Sequence, residues 1–191
     1  MKKLFFIAGM VAMTCTGFAQ DMTFGAKAGL NLADFSGDDS EDSEMLAGAF
    51  VGGYVNFSMT DKISIQPEVM FSMQGMKMDD VETKLNYINI PVMAGYQVME
   101  GLNVHTGPQI GLLMTAEDED GNDMKDGFKS TDVAWALGGS YSMNKLSFDI
   151  RYNFGLTEIY ESTEVEFEGV VETTESDAKN AVIQFAVGYS F

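Results

Sequence analysis

The amino-acid sequence predicts an all-β protein, an eight-stranded antiparallel up-and-down transmembrane β-barrel preceded by an export signal. Three observations carry the prediction. Eight stretches alternate apolar and polar residues with a period of two. Tight turns and longer polar loops alternate between them. Most of the 29 acidic residues fall in those loops and not on the polar faces of the stretches.

Residues 1–19 read as a secretory signal peptide. "MKKLFFIAGMVAMTCTGFAQ" places Lys2 and Lys3 before an apolar run from Leu4 to Met13, with small residues leading to cleavage after Ala19. The run is too short for a membrane helix, and no stretch of about 18 apolar residues follows it. The single cysteine, Cys15, lies inside this segment, and Ala12-Met13-Thr14 before it matches a lipid-anchor consensus poorly. Without the signal the chain has no thiol, which excludes a disulfide framework and a thiolate metal site. Loss of Lys2 and Lys3 takes the formal net charge from −18 to −20, which argues against nucleic acid as a partner. Residues 20–191 are then one barrel domain.

The first alternating segment, about 22–33, sets Met22, Phe24, Ala26, Ala28, Leu30 and Leu32 against Thr23, Gly25, Lys27, Gly29 and Asn31. The second covers about 45–59. In the third, about 62–77, Ile63, Ile65, Val69, Phe71 and Met73 oppose Ser64, Gln66, Glu68, Ser72 and Gln74. The fourth, about 84–99, reads least clearly. "LNYINIPVMAGYQV" is apolar on both faces, and Pro91 lacks a ladder donor. The fifth and sixth run over about 102–116 and 131–143. The seventh, about 145–159, holds "LSFDIRYNFGL", with Leu146, Phe148, Ile150, Tyr152, Phe154 and Leu156 opposite Ser147, Asp149, Arg151, Asn153 and Gly155. The eighth, about 180–191, places Ala181, Ile183, Phe185, Val187, Tyr189 and Phe191 on one face.

Short turns at 59–62, 99–101 and 143–145 alternate with polar loops at about 34–44, 78–83, 117–130 and 160–179. Alternation alone fits a soluble, lipocalin-like barrel equally well. Charge placement separates the two, because a water-facing sheet is normally studded with Lys and Glu. Here the polar faces carry mainly Gly, Ser, Thr, Asn and Gln, with Lys27, Glu68, Asp132, Asp149 and Arg151 as the main charges. A narrow lumen filled by small polar groups and paired charges fits that composition, so the apolar face is assigned to lipid. Phe57, Tyr96, Tyr141, Phe148, Tyr189 and Phe191 gather near the short turns as a membrane-interface girdle, with Trp135 and Tyr160 expected in the opposite one.

Lys27, Glu68, His105, Asp149 and Arg151 are expected to share one depth in the lumen and form an ion-pair network filling it. A proton or ion path is the functional alternative, although eight strands leave no wide pore. His105 is the only histidine, and its place four residues after the Glu100-Gly101 turn puts it at the wrong end for a rim hydrolase. No nucleophile motif accompanies it, so no catalytic residue and no cofactor are assigned. Asp118, Asp120 and Asn122 have the alternate spacing of an EF-hand start, but Asp123 and Lys129 stand where its glycine and closing glutamate belong. They remain weak metal candidates, consistent with loose Ca²⁺ or Mg²⁺ at acidic loops. "EVEFEGVVETTE", Glu164 to Glu175, partly alternates and is expected to extend the last hairpin beyond the membrane.

"FGAKAGLNLADF", "SIQPEVMFSMQG", "YINIPVMAGY", "GPQIGLL", "FDIRYNFGL" and the terminal "QFAVGYSF" resemble the PorT-like outer-membrane β-barrel family typical of Bacteroidetes, over essentially the whole mature chain. The resemblance implies a bacterial outer-membrane location, with short turns and the N-terminus periplasmic and long loops extracellular. It also implies that Phe191 acts as a closing aromatic read by the barrel-insertion machinery. The role expected is that of a monomeric, non-enzymatic structural or surface-interaction protein in contact with outer-membrane lipid and lipopolysaccharide. An accessory component of a protein secretion complex and a narrow ion pore are the alternatives.

Overall fold

A computed structural model describes residues 22–36, 43–78, 81–160, 163–167, 170–174 and 177–191. The signal segment and parts of three of the four loops lie outside the described residues. The strands are β1 (Met22–Ser36), β2 (Ser43–Ser58), β3 (Ile63–Met78), β4 (Val81–Met99), β5 (Leu102–Glu117), β6 (Thr131–Met143), β7 (Leu146–Gly155), β8 (Thr163–Phe167), β9 (Val170–Thr174) and β10 (Lys179–Ser190). Eight of them close a barrel in the order β1-β10-β7-β6-β5-β4-β3-β2, and β8 pairs with β9 in a separate two-stranded sheet. Every pairing is antiparallel, and β10 seals the barrel against β1 from Gly25–Ser190 to Ser36–Lys179. Closure removes the row of unpaired amides and carbonyls that hydrocarbon cannot satisfy.

Period two places the faces as the sequence predicts. Along β7, Phe148, Ile150, Tyr152 and Phe154 are 51, 53, 46 and 38% exposed on the outer surface, whereas Arg151 and Asn153 between them are 2 and 3% exposed. An apolar exterior around a polar interior is inverted relative to a soluble barrel and rules out the lipocalin-like arrangement. In the ambiguous β4, Leu85, Tyr87, Pro91 and Met93 face inward, while Ile90, Val92 and Tyr96 face outward. Pro91 costs no visible disruption, since it holds register opposite Gln109.

Three sequence expectations need correction. The stretch 78–83 is not a long loop, because β3 continues to Met78 and β4 begins at Val81, with Lys77 opposite Glu82. Glu82 belongs to paired strand and not to loop, and Asp79-Asp80 lie outside the described residues. The segment around 164–175 is not an extension of β7 and β10. Its described residues, Thr163–Phe167 and Val170–Thr174, pair with each other as a separate two-stranded sheet, Thr163 opposite Thr174. Tyr160 does not join an outer girdle. It packs inside the long-loop end, its ring 5.0 Å from Phe128 and 6.1 Å from Phe35.

Candidate functional site in the barrel lumen

Glu68, on the inward face of β3, is the centre of the lumen's charge cluster. Arg151 of β7 reaches it with two bonds, Nη1 to Oε2 at 3.1 Å and Nη2 to Oε1 at 3.0 Å. Lys27 of β1 donates to both carboxylate oxygens at 3.0 Å, and Gln66 Nε2 donates to Oε1 at 2.9 Å. All three charged side chains are at most 6% exposed. A carboxylate so saturated can be held away from water, whereas any one of these charges alone would not be.

Asp149 and His105 flank this cluster. His105 Nε2 is 3.3 Å from Asp149 Oδ2, and Arg151 Nε is 3.8 Å from Asp149 Oδ1. Neither nitrogen has a hydrogen-bonded partner, because the angles or the distance fall outside bonding range. Thus Lys27, Glu68, His105, Asp149 and Arg151 come together, but unequally. Glu68 takes both cations, and Asp149 only borders the group. Gly138 makes room for the histidine ring, since a Cβ there would lie 2.6 Å from His105 Nε2 and 2.5 Å from the Ile150 carbonyl oxygen.

Towards the long loops the lumen becomes first amide-rich and then dry. Gln184 donates to Asn31 Oδ1 at 3.0 Å, and Asn31 donates to Ser72 Oγ at 3.0 Å and to the Met73 carbonyl at 2.7 Å. Beyond them Asn180 donates to Asp132 Oδ2 at 3.0 Å, and Thr157 donates to Asp132 Oδ1 at 3.1 Å. Phe35, Met76, Leu85, Tyr87, Leu113, Phe128 and Ile159 then close that end with an apolar cluster. The expected all-polar lumen is therefore confined to its other part. Asn31, Asn180 and Gln184 were expected on the polar, lumen-facing side of their strands, but not the bonds that join them into a layer.

Towards the short turns the lumen opens into a vestibule of about 440 Å³. Its lining includes Lys27, Tyr54, Gln66, His105, Ser140, Ser147 and Asp149. Phe57, Tyr96, Tyr141, Phe148, Tyr189 and Phe191 lie on the outer surface around this same end, linked by pairings such as Tyr141–Phe148 and Met22–Phe57. Trp135 also faces outward, and its indole donates to Thr106 Oγ1 at 2.8 Å, which satisfies the N–H without a headgroup.

The three weak metal candidates build a turn. Both Asp118 carboxylate oxygens accept from Asn122, Oδ1 from its backbone N–H and Oδ2 from Nδ2, each at 2.8 Å. Those bonds hold the Asp118 carboxyl below the usual carboxylate range. Among the described residues no three His, Cys, Asp or Glu side chains group as metal ligands.

A closed antiparallel barrel with a lipid-compatible exterior and a side-chain-filled lumen defines an integral membrane β-barrel. The chain belongs to the outer membrane protein beta-barrel domain family, whose model matches residues 18–161. Solved structures of similar fold include Neisserial surface protein A (TM-score 0.55, 14% identity), a major outer membrane protein of Thermus thermophilus (0.52, 12%) and the attachment invasion locus protein Ail of Yersinia pestis with the heparin analogue sucrose octasulfate (0.51, 12%). Each match covers 90% of this chain and 100% of the other. No curated protein sequence matches this one.

Proposed function

We propose that this protein is a monomeric, non-enzymatic barrel of the bacterial outer membrane with a structural or surface-interaction role and a lumen that does not conduct ions. The observation that carries this reading is the double closure of the lumen. The Glu68–Arg151–Lys27 cluster bridges β1, β3 and β7 across it, and the apolar cluster around Phe35, Leu85 and Phe128 closes one end. An ion would have to break a saturated buried charge group and then cross a dry layer. His105 lies beside a carboxylate and not a serine hydroxyl, which speaks against a Ser-His hydrolase built on this histidine.

Short turns and termini would face the periplasm and the acidic loops the exterior, as the interfacial aromatics and Phe191 at the short-turn end suggest. The separate β8–β9 hairpin at the long-loop end favours interaction over an inert wall, and a lone two-stranded sheet gains stability by adding a strand. A polyanion of the kind present in the Ail structure does not suit loops this acidic; divalent cations bridging to lipopolysaccharide phosphates do.

Planar-bilayer recording of the purified protein should show no discrete conductance steps, and steps in the unmodified protein would refute the plugged lumen. Topology is read by a thiol label. The only cysteine, Cys15, lies in the expected signal, so Asp120→Cys and Asn144→Cys each introduce a single thiol. A membrane-impermeant maleimide on intact cells should label the first and spare the second; the reverse pattern overturns the orientation.

A further inference from the structure

The lumen is filled at one end and left open at the other. Phe35, Leu85, Tyr87, Leu113, Phe128 and Ile159 occupy the long-loop end. At the short-turn end, serines, glycines and Ala186 line the vestibule of about 440 Å³. That volume lies within the range of about 300–1,000 Å³ usual for small-molecule sites. We infer that the vestibule binds a small, neutral, hydroxyl-rich solute of monosaccharide to disaccharide size, held at its inner end by Asp149.

The chemistry of the lining selects that class. Its charges balance, with Lys27 and Lys62 against Asp61 and Asp149, so an ion entering it would lose hydration without a net field to replace it. Most of the rest is hydroxyl and amide, including Ser140, Ser142, Ser147, Asn56, Gln66 and Asn103, groups that pair with alcohols as both donors and acceptors. The inner wall carries unspent capacity. His105 is 8% exposed and its Nε2 makes no hydrogen bond, while Asp149 borders it at 3.3 Å outside bonding geometry. A vicinal diol would donate to the Asp149 carboxylate, which lines the vestibule and whose only neighbours of opposite sign lie outside bonding geometry. The site needs only the vestibule geometry, whichever way the barrel faces, so its failure and that of the plugged-lumen reading are distinguishable.

The test is an NMR titration of the full processed chain, ¹⁵N-labelled and folded in lipid nanodiscs, with glucose, maltose, inorganic phosphate and glycine as separate probes. Saturable shifts at the amides of His105, Ser140 and Ser147 are expected with a sugar in the millimolar range, and none with phosphate or glycine. Asp149→Asn should weaken sugar binding by about tenfold or more, equivalent to at least about one RT ln 10. Ser147→Phe should abolish it by filling the space, and Ser140→Leu serves the same purpose should that variant fail to fold. Shifts that never saturate with either sugar, which would mean a vestibule holding water alone, overturn the proposal. So does a tighter response to phosphate or glycine, or sugar binding unchanged in the filled variant.

Discussion

Glu68 accepts hydrogen bonds from Lys27, Arg151 and Gln66 together, and that convergence sets what each substitution does. Glu68→Ala leaves two buried cations facing each other without an anion between them. Its expected cost is about 3–5 kcal/mol, the range for breaking a buried ion pair. Arg151→Met should cost less, because Lys27 and Gln66 still serve the carboxylate. Denaturant unfolding in lipid vesicles orders the two, and equal costs would mean that the cluster is not organised around Glu68. A second residue-scale expectation concerns Asp118. Its carboxyl is held low by the Asn122 bonds, so the turn keeps them above the unfolded value of about 3.9 and loses them as pH falls through the lower folded value. The Asn122 backbone amide should therefore shift only below that unfolded value, and Asp118→Asn should remove the titration from the spectrum.

Strands β5, β6 and β7 show how an element limits its neighbours. His105 fits because Gly138, its register partner on β6, has no side chain to meet the ring. Gly138→Ala should cost about 1–3 kcal/mol, with the loss traced to the His105 signals, as an overpacked site demands. The outer face of β7 gives a depth test. Ile150→Lys in mid-strand should cost about 2–4 kcal/mol, and Leu146→Lys at the short-turn rim about 0–1. Both side chains are about half exposed, so water around the barrel would make both changes nearly neutral. Sequence reading handled β7 well and the β3–β4 hairpin badly for one reason. Alternation reports which face a residue takes, but a charged residue such as Glu82, opposite Lys77, does not say whether its backbone is paired.

Across the whole molecule, eight strands, their order and their lipid-facing sides were legible because hydrocarbon, closure and a period of two leave few solutions. The five lumen charges were also legible as a group, since each lies a similar distance from the short-turn end of an odd-numbered barrel strand. Which charges pair was not. Lys27 and Arg151 both choose Glu68 because strand stagger sets the Glu68 side chain within reach of β1 and of β7 across the lumen, and stagger is a property of the closed sheet. The inward placement of Phe50, Met70 and Met93 and the retreat of Tyr160 into the long-loop end were likewise hidden. An apolar side chain satisfies lipid and a dry lumen equally, so sequence alone determined the barrel and its faces, while only tertiary packing decided where the interior is charged, where it is dry and where it stays open.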